Sequence, residues 1–127
     1  MDDCIFCKIV RGDLPKYLVF EDAKFLAFLD IFPRTKGHTL LIPKTHFHWT
    51  YDVPDFGLYW EKAQLITRAM QKAFRPTFIT YVTHGLQVPH AHIHILPRFN
   101  ETEFVPEIKK FAHQEFAEVA SKLRDSF

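Results

Sequence analysis

The chain has 127 residues and a mass of 15.0 kDa, the size of a single domain. Apolar residues make up 47% of it, and 16 basic residues nearly balance 15 acidic ones. This composition excludes a disordered or collagen-like protein and offers no basic surface for nucleic acid. The longest apolar run covers only residues 25–29, whereas a membrane-spanning helix needs about 20. The acidic start Met-Asp-Asp is unlike a signal peptide. We therefore expect a cytoplasmic protein without membrane or nucleic-acid partners.

The hydrophobic pattern predicts one α+β domain over residues 1–127, built on an antiparallel sheet. In chain order we expect a short helical turn at 4–10, strands at 17–21, 25–31 and 39–43, a helix at 55–74, strands at 78–83 and 90–96, and a second main helix at 106–126. Asp55 is a typical N-cap for the first main helix, and Pro106 suits the first turn of the second.

The four glycines stand at positions 12, 37, 57 and 85, so neither G-x-G-x-x-G nor a P-loop is present. These are the usual glycine-rich loops that hold nucleotide phosphates. A protein of this sequence that acts on nucleotides must therefore bind phosphate in another way.

Three histidines alternate with apolar residues in the strand predicted at 90–96. Because side chains alternate across a strand, His90, His92 and His94 lie on one face and their neighbours enter the core. His90 and His94 have Cα atoms about 13 Å apart along a strand, so we do not expect a single zinc ion to bind all three histidines. Adjacent members could share an ion, or the row could be a solvated polar face. Three imidazoles in register favour separate catalytic roles, since neutral imidazole is both a nucleophile and a proton carrier.

The run H-A-H-I-H-I-L at 90–96, followed by Pro-Arg, resembles the motif of the histidine-triad (HIT) family. The segment C-I-F-C-K-I-V-R-G-D-L-P and residues 28–31 and 36–46 are similar to its other blocks, so the resemblance covers residues 4–98. It implies a HIT-like fold, with a five-stranded antiparallel sheet and two main helices. It also implies a homodimer whose sheets join into a ten-stranded one. The implied activity is that of a nucleotidyl hydrolase or transferase, which releases a nucleoside monophosphate such as AMP from a phosphoramidate or a dinucleoside polyphosphate.

The same resemblance implies a role for individual residues. His92 would be the nucleophile that forms a nucleotidyl-histidine, and His94 would contact the phosphate and the leaving group. His90 and His38 would orient the site, and Asp30 would bind the ribose hydroxyls. The base pocket of a purine nucleotide would be lined by Ile5, Phe6, Ile9, Phe28 and Ile31.

The sequence departs from the family immediately before the triad. Relatives carry Gly-Gln-[Ser/Thr]-Val, where this chain has Gly85-Leu86-Gln87-Val88. The Gln87 amide can donate the hydrogen bond that the hydroxyl makes, but with a different reach. His84 is a further candidate to face the site. The change affects leaving-group preference, and it supports the alternative of a nucleotide-binding module with weak or no catalysis.

The two cysteines form a C-x-x-C pair at Cys4 and Cys7. A redox pair normally follows a strand and opens a helix, and no strand precedes residue 4. Similar bacterial HIT proteins bind a structural zinc with two Cys and two His, and His46 and His90 stand at the matching positions. In that case His90 serves the metal rather than catalysis. Two buried, reduced cysteines without a ligand role are the remaining alternative.

Overall fold

The computed structural model describes residues 3–127 as one five-stranded sheet with helices on both faces. All strand pairs are antiparallel, and the spatial order is β1-β2-β3-β5-β4. The strands are β1 (Leu18–Glu21), β2 (Phe25–Leu29), β3 (Thr39–Pro43), β4 (Phe78–Val82) and β5 (Ile93–Arg98). The first three form the predicted meander, and β5 then inserts between β3 and β4.

Three helices and one short 3₁₀ turn complete the fold. They are α1 (Ile5–Arg11), the 3₁₀ turn (Thr50–Asp52), α2 (Phe56–Phe74) and α3 (His113–Arg124). The Sγ of Cys4 accepts the backbone N–H of Cys7 at the start of α1. Gly12 ends this helix with φ of +85°, a conformation that glycine adopts without strain. Across residues 3–127, none of the helices combines the length and the apolar character that a bilayer crossing requires.

The two faces of the sheet carry two separate apolar clusters. The larger cluster includes Ala91, Ile93 and Ile95 together with buried residues of α2 and α3. The smaller cluster holds α1 against Phe28 and Leu40 on the opposite face. Because helices cover both faces, every residue of β2 and β3 is buried, which explains why these strands show no polar alternation. The histidines of the triad therefore lie on the α1 face.

The C-terminal helix begins at His113, seven residues later than predicted. The residues before it are bonded to the loop that follows β2 instead. The backbone N–H of Lys109 donates to the carbonyl oxygen of Pro33 at 2.6 Å, and the Arg34 guanidinium donates to that of Pro106 at 2.8 Å. A backbone group used in this way is not available for an i to i−4 helical bond.

Strand β5 also begins later than predicted, at Ile93 instead of His90. The N–H of Ala91 donates to the carbonyl of Phe47, a residue outside the sheet. The face alternation predicted for 90–95 is confirmed nevertheless, since Ala91, Ile93 and Ile95 all enter the larger core.

The structure corrects the predicted N-cap of helix α2 and decides the burial of two of its residues. Asp55 precedes the helix but makes no side-chain cap, and pairs with Lys24 instead. Leu65 is 42% exposed, although it is one of the apolar residues of this helix. Tyr59 is fully buried, stacks on Phe25 and donates its hydroxyl to the carbonyl oxygen of Leu41 at 2.7 Å. Burial raises the pKa of the Tyr59 hydroxyl.

We expect Tyr59→Phe to lower the free energy of unfolding by about 1–2 kcal/mol, because it removes a buried hydrogen bond at nearly constant volume. Urea unfolding monitored by circular dichroism measures this change. Tyr51→Phe is the matched control, since the Tyr51 side chain is 71% exposed. Equal effects of the two substitutions would contradict the assigned role of the Tyr59 hydroxyl.

Candidate active site

The three triad histidines form a continuous row at the start of β5. His94 lies within the strand opposite Leu40, and His90 and His92 directly precede the strand. The rings of His92 and His94 have centroids 4.9 Å apart. His90 and His92 are buried, whereas His94 is partly exposed. The row thus runs from the interior toward an accessible surface.

The hydrogen bonds of His92 determine which of its nitrogens is reactive. Its Nδ1 lies 2.7 Å from the backbone carbonyl oxygen of His90. Because a carbonyl only accepts, Nδ1 must carry the proton, and the lone pair of the neutral ring is on Nε2. A neutral imidazole with a free Nε2 is the form required of a nucleophile.

A second chain of hydrogen bonds determines the tautomer of His94. The backbone N–H of Arg34 donates to Nδ1 of His38 at 3.0 Å, so the proton of His38 is on Nε2. This Nε2–H donates to Nδ1 of His94 at 2.9 Å. His94 therefore carries its own proton on Nε2. The site presents a lone pair on His92 beside an N–H on His94.

Burial keeps these imidazoles neutral at physiological pH. Desolvation, helped by nearby Arg34, lowers the pKa of His38 from 6.5 to about 3. Desolvation and the neighbouring His38 lower the pKa of His94 to about 3. The pKa of His92 is also lowered by burial, although the His90 carbonyl and the Asp30 charge oppose this shift.

Asp30 lies beside His38 and His94, the two histidines whose tautomers follow from the backbone N–H of Arg34. One carboxylate oxygen is 3.5 Å from Nε2 of His38 and 4.0 Å from Nδ1 of His94. The other accepts the backbone N–H of Phe32 at 2.8 Å, which fixes the carboxylate at the end of β2. Its position next to the row is compatible with the ribose contact that was predicted for it.

Three of the residues predicted for the base pocket lie together. Phe6 meets the ring of His92 edge to face at 5.1 Å and that of Phe28 at 5.6 Å, and Ile9 belongs to the same buried cluster. Ile5 and Ile31 are on the surface instead, 48% and 59% exposed. Gln87 is exposed in the loop that joins β4 to β5.

The four predicted metal ligands form a compact cluster behind the row. Their ligand atoms all lie within 4.8 Å of one another. Nδ1 of His90 is 3.3 Å from Sγ of Cys4 and 3.5 Å from Sγ of Cys7, and Nδ1 of His46 is 3.3 Å from Sγ of Cys7. Tetrahedral zinc with ordinary bond lengths requires sulfur and nitrogen ligands about 3.5 Å apart.

The second nitrogen of His90 supports this geometry. Nε2 donates to the carbonyl oxygen of Pro43 at 2.8 Å, so the lone pair is on Nδ1 and faces the two sulfurs. Without a cation, burial and the neighbouring Cys4 raise the pKa of the Cys7 thiol to about 11. A bound metal reverses this preference, because thiolate is the ligand form.

Asp30, His38 and His94 form a second group with metal-ligand spacing. Here the nearest nitrogens of His38 and His94 are joined by the 2.9 Å hydrogen bond described above. A lone pair used in that bond is not available to an ion. The first cluster is therefore the better candidate for a metal.

Sequence reasoning missed two contributors to the site, the N–H of Arg34 and the carbonyl of Pro43. Both act through backbone atoms, which leave no side-chain signature. The sequence offers one indication for Pro43, since this residue ends a strand shortly before the predicted ligand His46, so its carbonyl is expected near the ligands.

A sequence model of the HIT domain matches residues 11–101, so the chain belongs to the HIT family. It is 42% identical over 107 residues to Protein hit of Bacillus subtilis, which covers 79% of this chain and 74% of that protein. It is 38% identical over 103 residues to adenosine 5'-monophosphoramidase hnt1 of Schizosaccharomyces pombe, covering 77% of this chain and 76% of the other.

A solved structure of a Zn-bound histidine triad family protein from Mycobacterium smegmatis matches with a TM-score of 0.79. Its sequence is 32% identical, and the match covers 98% and 93% of the two chains. The predicted family and the five-stranded fold are thus confirmed.

The buried neutral histidines predict how stability depends on pH. His38 and His94 have folded pKa values of about 3 against 6.5 when unfolded. Protonation therefore favours the unfolded chain, and their effect is absent well above pH 6.5 and grows as the pH falls below it. We expect the free energy of unfolding to fall between pH 6 and pH 4 in both the wild type and His38→Asn, but less steeply in the variant. The two slopes should differ by about 1.4 kcal/mol per pH unit, the contribution of one proton. Asn offers an oxygen that can accept the Arg34 N–H, as Nδ1 of His38 does. Urea unfolding at several pH values measures both slopes, and equal slopes would contradict a neutral His38.

Proposed function

We propose that this protein is a nucleotidyl hydrolase that releases AMP from a phosphoramidate or a dinucleoside polyphosphate. The observation that carries the proposal is the pairing of a free Nε2 lone pair on His92 with an Nε2–H on His94. A nucleotide-binding protein needs donors for phosphate, but it does not need a buried nucleophile held in one tautomer.

The two nitrogens divide the chemistry between them. Nε2 of His92 attacks the α-phosphorus, a P–N bond forms, and the bond to the leaving nitrogen or oxygen breaks. The Nε2–H of His94 donates a hydrogen bond to the leaving nitrogen or oxygen and so stabilises its departure, and the leaving group takes its proton from water. Water then cleaves the P–N bond, which releases AMP and returns His92 to its neutral form. One difficult displacement becomes two easier ones.

The surroundings of the row support a nucleoside as the other half of the substrate. Phe6 and Phe28 offer aromatic surface beside His92, and the Asp30 carboxylate offers an acceptor for ribose hydroxyls. The S. pombe relative is named an adenosine 5'-monophosphoramidase, which supports adenosine as the nucleoside. The roles of Ile5, Ile9, Ile31 and Gln87 in binding belong to the same proposal.

We also infer that Cys4, Cys7, His46 and His90 hold a structural zinc ion. The ligand spacing and the tautomer of His90 fit it, and the M. smegmatis relative is Zn-bound. When bound, the metal fixes α1 to the start of β5. The role of His90 is then to orient the neighbouring His92 through its carbonyl.

A homodimer is part of the proposal as well. Strand β4 is an edge of the sheet, and its Phe78 and Tyr81 are 47% and 42% exposed. On neighbouring α2, Phe56 and Leu65 are 46% and 42% exposed. An edge strand with apolar side chains favours pairing with a second chain.

The nucleophile is tested by measuring AMP release from an AMP phosphoramidate and from diadenosine tetraphosphate. We expect His92→Ala to lower kcat by at least about 1,000-fold on both substrates, since no other group replaces the covalent step. The wild-type enzyme should carry acid-labile labelled AMP when quenched during turnover, and the variant should not.

Circular dichroism shows whether the variant is folded, and His113→Ala, which removes an exposed imidazole on α3, is the matched control. Normal AMP release by a folded His92→Ala would contradict the mechanism. AMP binding by a wild-type protein that cleaves neither substrate would favour the alternative of a binding module.

The metal site is tested by elemental analysis of the purified protein. We expect about one zinc per chain in the wild type and a large loss in Cys4→Ala, accompanied by a lower thermal midpoint. His38→Asn, which alters only the group formed by Asp30, His38 and His94, should retain its zinc. Undiminished zinc in Cys4→Ala would exclude the cysteine cluster as the site.

A further inference from the structure

One histidine beside the triad has no partner of its own. Seven of the eight histidines place a ring nitrogen within hydrogen-bond distance of another protein group. The exception within residues 3–127 is His84, whose ring is exposed in the loop between β4 and β5. An unpaired imidazole next to an active site is available to a ligand.

The register of the sheet directs the chain at His84 toward the nucleophile. Val82 of β4 is paired with His94 of β5, and partners across two strands share one face of the sheet. The pairing ends with these two residues. Extended by two residues, the same antiparallel register would bring His84 to that face, opposite His92. In agreement with this position, a charge on His84 contributes to lowering the pKa of His92.

The backbone on both sides of His84 is fixed, so its place at the edge is defined. The hydroxyls of Thr83 and Thr50 are hydrogen-bonded to each other. Gly85 has a φ of +81°, and a Cβ at this position would lie 3.1 Å from the ring of Trp49. The carbonyl of Gly85 accepts Nε2–H of His48 at 3.1 Å.

His84 and the residues of the proposed base pocket lie on opposite sides of the row. Phe6 and Phe28 are on the α1 and β2 side, together with Leu40 of β3. Strand β5 separates β3 from β4 in the sheet, and His84 follows β4. A substrate with its nucleoside in the pocket and its α-phosphorus at His92 therefore extends its other half toward His84.

We infer that His84 binds the leaving half of the substrate by donating a ring N–H to an anionic oxygen. This contact selects leaving groups that carry phosphate over uncharged amines, which offer no such acceptor. The inference rests on the proposed function, because it assigns the leaving-group side of the same site. It also gives this chain a phosphate contact at the loop where Leu86 and Gln87 replace the family's residues.

The experiment compares the affinities of AMP and of α,β-methylene ADP by calorimetry on the zinc-loaded protein. The second ligand carries a phosphate where the leaving group begins, and its bridge resists cleavage. We expect His84→Ala to weaken α,β-methylene ADP about tenfold, the size of one hydrogen bond to a charged group, and to leave AMP unchanged. His84→Gln keeps a donor and should retain part of the preference.

His113→Ala is the matched control and should leave both affinities unchanged. An unaltered ratio of the two affinities in His84→Ala would overturn the inference. This holds both when neither affinity changes and when the two fall equally, since an equal fall indicates a general effect on the fold. Because the readout needs no turnover, a protein that releases no AMP contradicts the proposed function while the affinity ratio still decides the role of His84.

In an active enzyme the same contact has a kinetic signature. We expect kcat/KM for diadenosine tetraphosphate, relative to that for an AMP phosphoramidate with an uncharged amine, to fall about tenfold in His84→Ala. An unchanged ratio of the two kcat/KM values would contradict the inference even if the binding result agreed with it.

Discussion

The hydrogen bond from Nδ1 of His92 to the backbone carbonyl of His90 is the contact on which the site depends. It places the proton of His92 on Nδ1 and leaves the lone pair on Nε2. The same residue, His90, uses both ring nitrogens on the opposite side, one toward the Pro43 carbonyl and one toward the cysteine sulfurs. His90 alone thus connects the cysteine cluster to the ring of His92.

Through this connection the short helix α1 supports the proposed chemistry at His92, which lies far from it in the sequence. Helix α1 brings both cysteines to His90 and also places Phe6 against His92. The cysteine cluster and part of the proposed base pocket are therefore built on the same element. A change in the position of α1 would alter the support of the His92 tautomer and the apolar surroundings of its ring together.

Burial provides the second condition for the chemistry. Imidazole in water has a pKa near the physiological range, and a protonated His92 would have no lone pair to offer. Helices on both faces of the sheet remove water from the row, and the pKa values of His38, His92 and His94 fall in consequence. The neighbouring Asp30 opposes this shift at His92 and His94, and burial is the larger effect.

The sequence by itself determined the family, the five strands and the face alternation of 90–95, because period-two patterning and closely spaced motif residues are local signals. The family resemblance also predicted one ligand group, Cys4, Cys7, His46 and His90, and the structure brings these four residues together. Only the tertiary structure decided that residues 106–112 are not helical, because the partner of the Lys109 N–H is the distant carbonyl of Pro33. It also decided that Tyr59 is buried while Leu65 is exposed, which depends on how α2 is rotated against the sheet. The tautomers of His38, His92 and His94 could not be predicted either. They are set by backbone atoms of residues 34 and 90 and by one histidine acting on another, and such contacts exist only once the chain is folded.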